Sequence, residues 1–288
     1  PRVAVLLNVA PDHLDWHGSM RAYRAAKGRL WARQQPGDTA VYNADDAGAR
    51  DVVAAHPPPA ARLEFTLGAP ADGQVGVEDG TLVVRREGLR SAVVSVTELS
   101  VSEPHNVANV CAAVAGAVAA GADATALVPA LRAYQSGRHR LESVASVGGV
   151  HYVDDSKATN PHAAAAALAS FPEKRVVWIA GGLGKRLEFS SLAPLIRRHV
   201  KAAVTIGTSG PTIAHLARSV GVHAVEAGRL DAAVAAAARL AEPGDTVLLA
   251  PACASMDQFT DYAERGQVFR TAVETLGAEY AQGAGHGS

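Results

Sequence analysis

The sequence is short of several things, and each shortage removes a class of protein. Only two of its 288 residues are cysteine, Cys111 and Cys253. They lie far apart and have no metal-ligand spacing, which argues against a disulfide framework and fits a reducing, cytoplasmic setting. Net charge is almost absent: 27 Lys and Arg against 28 Asp and Glu leave −1. No bulk field therefore draws in nucleic acid or an anionic membrane. No apolar run approaches the ~20 residues of a membrane span; the longest, over residues 110–120, is about half that. Neither a signal peptide nor an initiator methionine is seen, and Pro1-Arg2 leads directly into an apolar strand over residues 3–7. That opening reads as a fragment whose preceding part is missing. Repeats and low-complexity tracts are also lacking.

What remains is an ordinary folded composition, with 48% hydrophobic and 19% charged residues. The length suits two domains, and abundant alanine favours helices. A polar, basic stretch over residues 135–142 (Gln-Ser-Gly-Arg-His-Arg-Leu-Glu) marks a hinge, dividing the chain into domains at 1–136 and 137–280. The small, glycine-rich residues 281–288 read as a disordered tail. In the first domain, strands are expected at 3–8 and 39–43. Helices are expected at 20–33 (capped by Ser19), 47–55, 104–120 and 124–134, and an antiparallel patch at 62–98. After the hinge the pattern alternates regularly: strands at 150–153, 175–180, 202–206, 222–225 and 245–250, with helices at 161–170, 190–199, 211–219, 229–240 and 261–276. Strands separated by helices predict an α/β fold with a mostly parallel sheet covered on both faces.

The chemistry concentrates at strand ends, where ligands bind in such folds. The most telling stretch is residues 150–161. A β-branched strand gives way to Asp154, Asp155, Ser156, Lys157, Thr159 and Asn160, and Asn160-Pro161 opens a helix. Capping needs one of these six polar residues, so the rest point to a site. Gly181-Gly182-Leu183-Gly184-Lys185-Arg186 resembles a phosphate loop but fails the Walker A pattern, having Ile179 and Arg186 at the two diagnostic positions. It either presents Lys185 to an anion or is a tight turn with a solvated lysine. The third loop runs from Pro251 through Ser255 to Phe259. Its small residues admit close backbone approach, and Cys253 has no evident base, so it reads as a packing residue. In the first domain Asp12, His13, Asp15 and His17 are either metal ligands or a hydrogen-bonded loop. Arg138, His139 and Arg140 either touch phosphates or form a soluble linker.

These motifs together resemble the Mur ligase family. The likeness is carried by residues 7–9 (Leu-Asn-Val) with Asp12-His13-Leu14-Asp15, by Tyr23-Arg24-Ala25-Ala26-Lys27, by Asn43-Ala44-Asp45-Asp46, and by His105-Asn106 with Asn109. It continues with His139-Arg140, Asp155-Ser156-Lys157-Ala158-Thr159-Asn160, Gly181-Gly182 with Lys185, and Ala252-Cys253-Ala254-Ser255 with Asp257-Gln258-Phe259. The loops at 155–160 and 252–255 resemble those that separate the D-glutamate-adding member from its sister ligases. The resemblance implies the later part of a central ATPase-type domain, followed by a Rossmann-like, doubly wound C-terminal domain. It also implies an ATP- and Mg²⁺-dependent amide-forming ligase of peptidoglycan synthesis that joins D-glutamate to UDP-N-acetylmuramoyl-L-alanine through an acyl phosphate. Such an enzyme would be a cytoplasmic monomer with neither membrane nor nucleic acid as partner. No Gly-x-x-x-x-Gly-Lys-Ser/Thr occurs in the sequence, so these residues alone are expected to be inactive.

Residue by residue, the resemblance implies a catalytic, metal-holding pair of His13 and Lys27, the lysine being carbamylated. It gives nucleotide contacts to Asn106, Asn109, Arg140, Asp155 and Lys157, and D-glutamate contacts to Thr159, Lys185, Ser255 and Tyr262. Tyr262 stands where the family often has Phe. Trp16 and His17 fall where the family is variable and are given no role. Two rival readings stand beside this one: a nucleotide- or amino-acid-binding module without catalysis, and a metal hydrolase built on the loop at 12–17.

Overall fold

The computed structural model describes residues 1–284 apart from Ser102, Lys185 and Arg186, and every side chain among them except those of Asp15, Gly283 and Ala284. The chain divides into two units, Pro1–Gln135 and Ser136–Ser288.

Unit 1 runs β1 (Val3–Leu6), α1 (Leu14–His17), α2 (Met20–Gly28), β2 (Thr39–Asn43), α3 (Ala47–Ala55), β3 (Ala61–Phe65), β4 (Gln74–Glu78), β5 (Thr81–Arg86), β6 (Leu89–Ser95), α4 (Pro104–Ala119) and α5 (Val128–Ala133). The six strands form one sheet in sequence order. Alternation along β2 divides the core. Val41 joins Phe65, Leu82, Val110 and Val114 on the α4 face, while Ala40 and Tyr42 join Tyr23, Trp31 and Val52 on the α2–α3 face. Ser19 caps α2 as the sequence places it, and Asp46 caps α3 in the same way. Ser19 accepts from the Ala22 N–H at 3.2 Å, and Asp46 from the Ala49 N–H at 2.6 Å.

The expected antiparallel patch at 62–98 needs correction. β4, β5 and β6 are antiparallel neighbours, but β3 pairs parallel with both β2 and β4. Strand β4 escaped the sequence pattern because Gly76 interrupts it. A Cβ at Gly76 would lie 2.4 Å from the Gly68 carbonyl oxygen, so close backbone approach, not a turn, demands the glycine.

Unit 2 runs β7 (Glu142–Val147), β8 (Val150–Asp154), α6 (Pro161–Ala169), β9 (Val176–Gly181), α7 (Ala193–His199), β10 (Val200–Ile206), α8 (Gly210–Ser219), β11 (His223–Gly228), α9 (Leu230–Leu240), β12 (Thr246–Leu249) and α10 (Tyr262–Ala284). The sheet order is β11-β10-β9-β12-β8-β7, parallel throughout except for β7. Its central strands are apolar on both faces. Trp178 and Leu248 face a core with Leu168, Ile196 and Ile213, and Val177 and Leu249 face one with Val234, Phe269 and Val273. Helices α6–α8 thus cover one side and α9–α10 the other.

Two further differences have plain causes. β7 lies inside and beyond the expected hinge, joined to β8 by Gly148-Gly149, both at positive φ (59° and 79°), which is the geometry of a two-residue hairpin turn. The expected tail begins too early, because α10 continues through Ala284. Ala281 and Gln282 are good helix formers, and extending an existing helix needs no new nucleus.

Candidate active site at the strand ends of unit 2

Inserting β12 between β8 and β9 brings three loops together at the carboxyl ends of adjacent strands. The loop after β8 begins with three buried polar residues. Asp154 is fully buried, accepting from the Ser156 N–H at 2.8 Å through Oδ1 and meeting His139 Nδ1 at 2.7 Å through Oδ2. Ser156, equally buried, donates its hydroxyl to the Tyr262 carbonyl at 2.7 Å. Asp155 accepts from the Leu141 N–H at 3.3 Å. Asn160 caps α6, its Oδ1 accepting from the Ala163 N–H at 2.9 Å with Pro161 in the first helical turn. Of the six polar residues in this stretch, Asp154, Ser156 and Asn160 thus have structural work. Asp155 holds the Leu141 N–H, and Lys157 and Thr159 are half-buried.

The loops after β9 and β12 are stitched to each other. Leu183 and Ala254 exchange backbone hydrogen bonds at 2.8 and 3.1 Å, and the Gly181 N–H donates to the Pro251 carbonyl at 2.8 Å. The glycines are steric requirements. A Cβ would come within 2.0 Å of the Ile206 carbonyl oxygen at Gly181 and within 2.3 Å of the Ala254 carbonyl oxygen at Gly182. Asp257 ties in the loop after β10 by accepting from the Thr208 N–H at 2.9 Å. Lys185 lies outside the described residues, as does the Asp15 side chain.

Behind the loops stands Arg265, in the first turn of α10 and without solvent exposure. It donates through Nε to the Ser156 hydroxyl (2.9 Å), through one terminal nitrogen to the Ser156 carbonyl (2.7 Å) and through the other to the Cys253 carbonyl (3.1 Å). One guanidinium therefore pins the β8 loop to the β12 loop. No sequence motif marks it, although a signal exists: Arg265, Phe269 and Val273, four residues apart, share one buried stripe of α10. Nor does the sequence pair His139 with Asp154, whose contact depends on the β7–β8 hairpin that begins at the end of the expected hinge. His139, Glu142 and Asp154 cluster tightly enough to suggest a metal. Their oxygens are already engaged, since Glu142 accepts from the His139 N–H and from Arg270, so they form a hydrogen-bonded brace.

Electrostatics distinguish the residues. Burial pushes the Asp155 carboxyl up to about 7. The Leu141 N–H pulls it back, the neighbouring Asp154 adds to the rise, and Arg140 opposes it. Burial lowers Arg265 to about 10 and raises the Cys253 thiol to about 12, in keeping with a packing role for Cys253. Arg140 is exposed and Thr159 half-buried. Lys157 holds its ammonium 5.0 Å from the centre of the Tyr262 ring, and Ser255 is buried with its carbonyl accepting from the Gln258 and Phe259 N–H groups.

In unit 1 the structure brings His13 and Lys27 to the same ring. The Tyr23 ring centre lies 6.2 Å from that of His13, 5.0 Å from that of His17 and 5.2 Å from the Lys27 ammonium. His13 stands at φ 54°, with its Nε2 3.7 Å from the Asp12 carboxylate. Asn106 and Asn109 lie one turn apart on α4. Asn106 is buried and donates to Glu103 at 2.9 Å, and Asn109 is exposed. Asp45 and Asp46 serve the fold. Asp45 accepts from the Thr66 hydroxyl and the Leu67 N–H (both 2.7 Å), and Asp46 holds the Val9 N–H at 3.0 Å.

Residues 1–117 match the Mur ligase middle domain, and residues 139–253 match the Mur ligase glutamate ligase domain. The chain is 51% identical over 277 residues to a UDP-N-acetylmuramoylalanine--D-glutamate ligase of Frankia casuarinae, covering 95% of this chain and 57% of that one. It is 45% identical over 289 residues to the protein of that name from Streptomyces coelicolor, covering 96% and 60%. The chain thus spans less than two thirds of the length of the curated relatives it matches. Among solved structures, a MurF from Acinetobacter baumannii superposes with a TM-score of 0.67 at 21% identity, covering 86% of this chain and 56% of the other. A MurF ligase from Thermotoga maritima in complex with ADP gives 0.63 at 18%, covering 96% and 63%. With two consecutive Mur ligase domains matched and these relatives alongside, the chain belongs to the Mur ligase family.

Proposed function

We propose that the protein carrying these residues is an ATP-dependent ligase of peptidoglycan synthesis, joining D-glutamate to the carboxylate of UDP-N-acetylmuramoyl-L-alanine in the cytoplasm. The observation that carries this reading is the locking of the loops after β8, β9 and β12 into one strand-end site by Arg265 and the Leu183–Ala254 bridge. Relatives at 45–51% identity that bear the ligase name support it. A carboxylate is a poor electrophile. In this reading its oxygen attacks the γ-phosphorus of ATP and ADP leaves. The amine of D-glutamate then attacks the acyl carbon, and phosphate departs. Positioning and charge neutralisation supply the rate.

In this scheme Asn106, Asn109, Arg140, Asp155 and Lys157 contact the nucleotide. Thr159, Ser255 and Tyr262 contact D-glutamate, together with Lys185. The ring of Tyr262 holds the Lys157 ammonium in place before phosphate arrives. His13 offers an exposed imidazole with a carboxylate 3.7 Å away, which fits a magnesium ion that keeps much of its water shell. Lys27 as an ammonium has no lone pair to give; it fits that role only as a carbamate, whose oxygens are anionic. When bound, the metal neutralises phosphate charge. Residues 1–288 contain no Walker A loop and, in this reading, do not turn over by themselves.

The test is phosphate release by the full-length protein with ATP, Mg²⁺ and UDP-N-acetylmuramoyl-L-alanine. Release is expected only when D-glutamate is added. Equal rates with L-glutamate or a diamino acid would overturn the specificity. ATP binding without amino-acid-dependent turnover would favour a binding module instead.

A further inference from the structure

Asp154 and His139 form a buried pair with no assigned part in this chemistry. His139 is 5% exposed and Asp154 not at all, and His139 Nδ1 lies 2.7 Å from Asp154 Oδ2. A carboxylate only accepts, so Nδ1 carries the proton and Nε2 keeps its lone pair when the ring is neutral. The ring is clamped. A Cβ at Gly266 would lie 2.2 Å from Nδ1 and 2.7 Å from Cε1, so α10 closes that side. Its ring meets the Tyr262 ring edge-on at 6.2 Å, and its carbonyl accepts from the Lys157 N–H at 3.2 Å. Among the described residues no protein group bonds Nε2. The histidine therefore stands in the corner formed by Lys157 and Tyr262, with one nitrogen committed and the other uncommitted.

We propose, resting on the ligase reading above, that Asp154 is a positioning residue for amide formation: it fixes His139 so that Nε2 accepts a proton from the ammonium of the incoming amino acid. An amino acid arrives as an ammonium ion, which has no lone pair and cannot attack an acyl phosphate. Transfer of one N–H proton to Nε2 gives a free amine and an imidazolium. The amine's lone pair then forms the C–N bond as phosphate leaves with the C–O electron pair, and the departing phosphate takes the second N–H proton. The imidazolium remains paired with Asp154. The other charged groups facing the pair are Glu142, which holds the His139 N–H, Asp155 beside it on the β8 loop, Lys157, and Arg265 from α10. Tyr262 is the titratable group at the ring edge. This arrangement resembles the oriented histidine–carboxylate pairs used wherever one nitrogen must act as a base.

The test separates proton removal from acyl-phosphate formation. Full-length wild type and Asp154→Asn are assayed at neutral pH with D-glutamate, and separately with hydroxylamine, a nucleophile already unprotonated there. Asparagine can turn its amide NH₂ toward Nδ1, which moves the proton to Nε2. With D-glutamate, kcat is expected to fall about 100-fold with KM little changed, and to recover as pH rises; hydroxamate formation should stay within about 3-fold of wild type. Equal losses with both nucleophiles would make Asp154 merely structural and overturn the proposal, as would no loss with either. Failure of wild type to form amide and hydroxamate at all would instead remove the ligase reading, and this proposal with it. Because the variant can fail to fold, ¹⁵N NMR of labelled imidazole in the unsubstituted protein provides an independent arm. A proton found on Nε2 of His139 in the neutral ring would overturn the proposal; one on Nδ1 supports it.

Discussion

Arg265 grips Ser156 twice, through Nε to its hydroxyl at 2.9 Å and through a terminal nitrogen to its carbonyl at 2.7 Å. A planar fork can do this, whereas an ammonium cannot span both acceptors and the Cys253 carbonyl. Substituting Arg265→Lys should therefore cost about 2 kcal/mol, and Arg265→Leu about 3, since buried carbonyls are left without donors. Urea melts check the stabilities. Affinity for D-glutamate, the proposed substrate, should fall in both variants, because the β8 and β12 loops lose their common anchor. A lysine variant with wild-type stability would show that the guanidinium geometry is unimportant.

The helix residue next to it is equally constrained. Gly266 faces the His139–Asp154 pair, and a Cβ there would lie 2.2 Å from Nδ1 and 2.6 Å from Oδ2. In an exposed helix, Gly→Ala gains up to about 1 kcal/mol. Here Gly266→Ala should instead destabilise by about 1–3 kcal/mol through overpacking. Thermal unfolding decides the sign. A raised Tm would mean that the pair has room to move and is less tightly held than 2.7 Å implies.

The sequence made the architecture of unit 2 legible because its central strands are apolar on both faces and are bounded by polar, glycine-rich or small-residue loops. Asn160-Pro161 announced the start of α6, and Asp46 and Ser19 behaved as caps for the same local reason. What stayed hidden depends on contacts between residues distant in the chain. His139 meets Asp154 only because Gly148-Gly149 folds β7 back along β8. Arg265 reaches Ser156 across 109 positions. Gly76 masked a strand because its reason for being glycine is a carbonyl on another segment. The candidate site was thus readable as a set of loops. The residues that hold the loops together were not.

Both cysteines should be inert in the native protein. Burial pushes the thiols of Cys111 and Cys253 up to about 12, and each is fully buried, so little thiolate exists to react near neutral pH. Iodoacetamide at pH 8 is expected to leave both unmodified over an hour and to label both in 8 M urea (conditions of roughly this order suffice for exposed thiols of ordinary pKa). Peptide mass spectrometry reads the outcome. Rapid native labelling of Cys253 would contradict its packing role and reopen a chemical one.

Asp155 makes the stability of unit 2 depend on pH in the less common direction. Its folded-state carboxyl is raised to about 7 from an ordinary value of 3.8. Between those values the folded state binds more protons than the unfolded state, so stability falls as pH rises. The contribution is fully present below about 4, declines through the range to about 7, and is absent above it. The span is on the order of a few kcal/mol. Asp155→Asn, which removes the titration, should leave stability near pH 4 almost unchanged and raise it at pH 8. Denaturant melts at the two pH values measure this. A variant less stable than wild type at pH 8 would mean that the ionised carboxylate is held by more than the Leu141 N–H and the nearby Arg140. The same experiment bears on the proposed nucleotide contact. A cost to folding at pH 8 in the unliganded protein is what a carboxylate awaiting a hydrogen-bond donor should show, and bound ATP should reduce the difference between wild type and the Asp155→Asn variant at that pH.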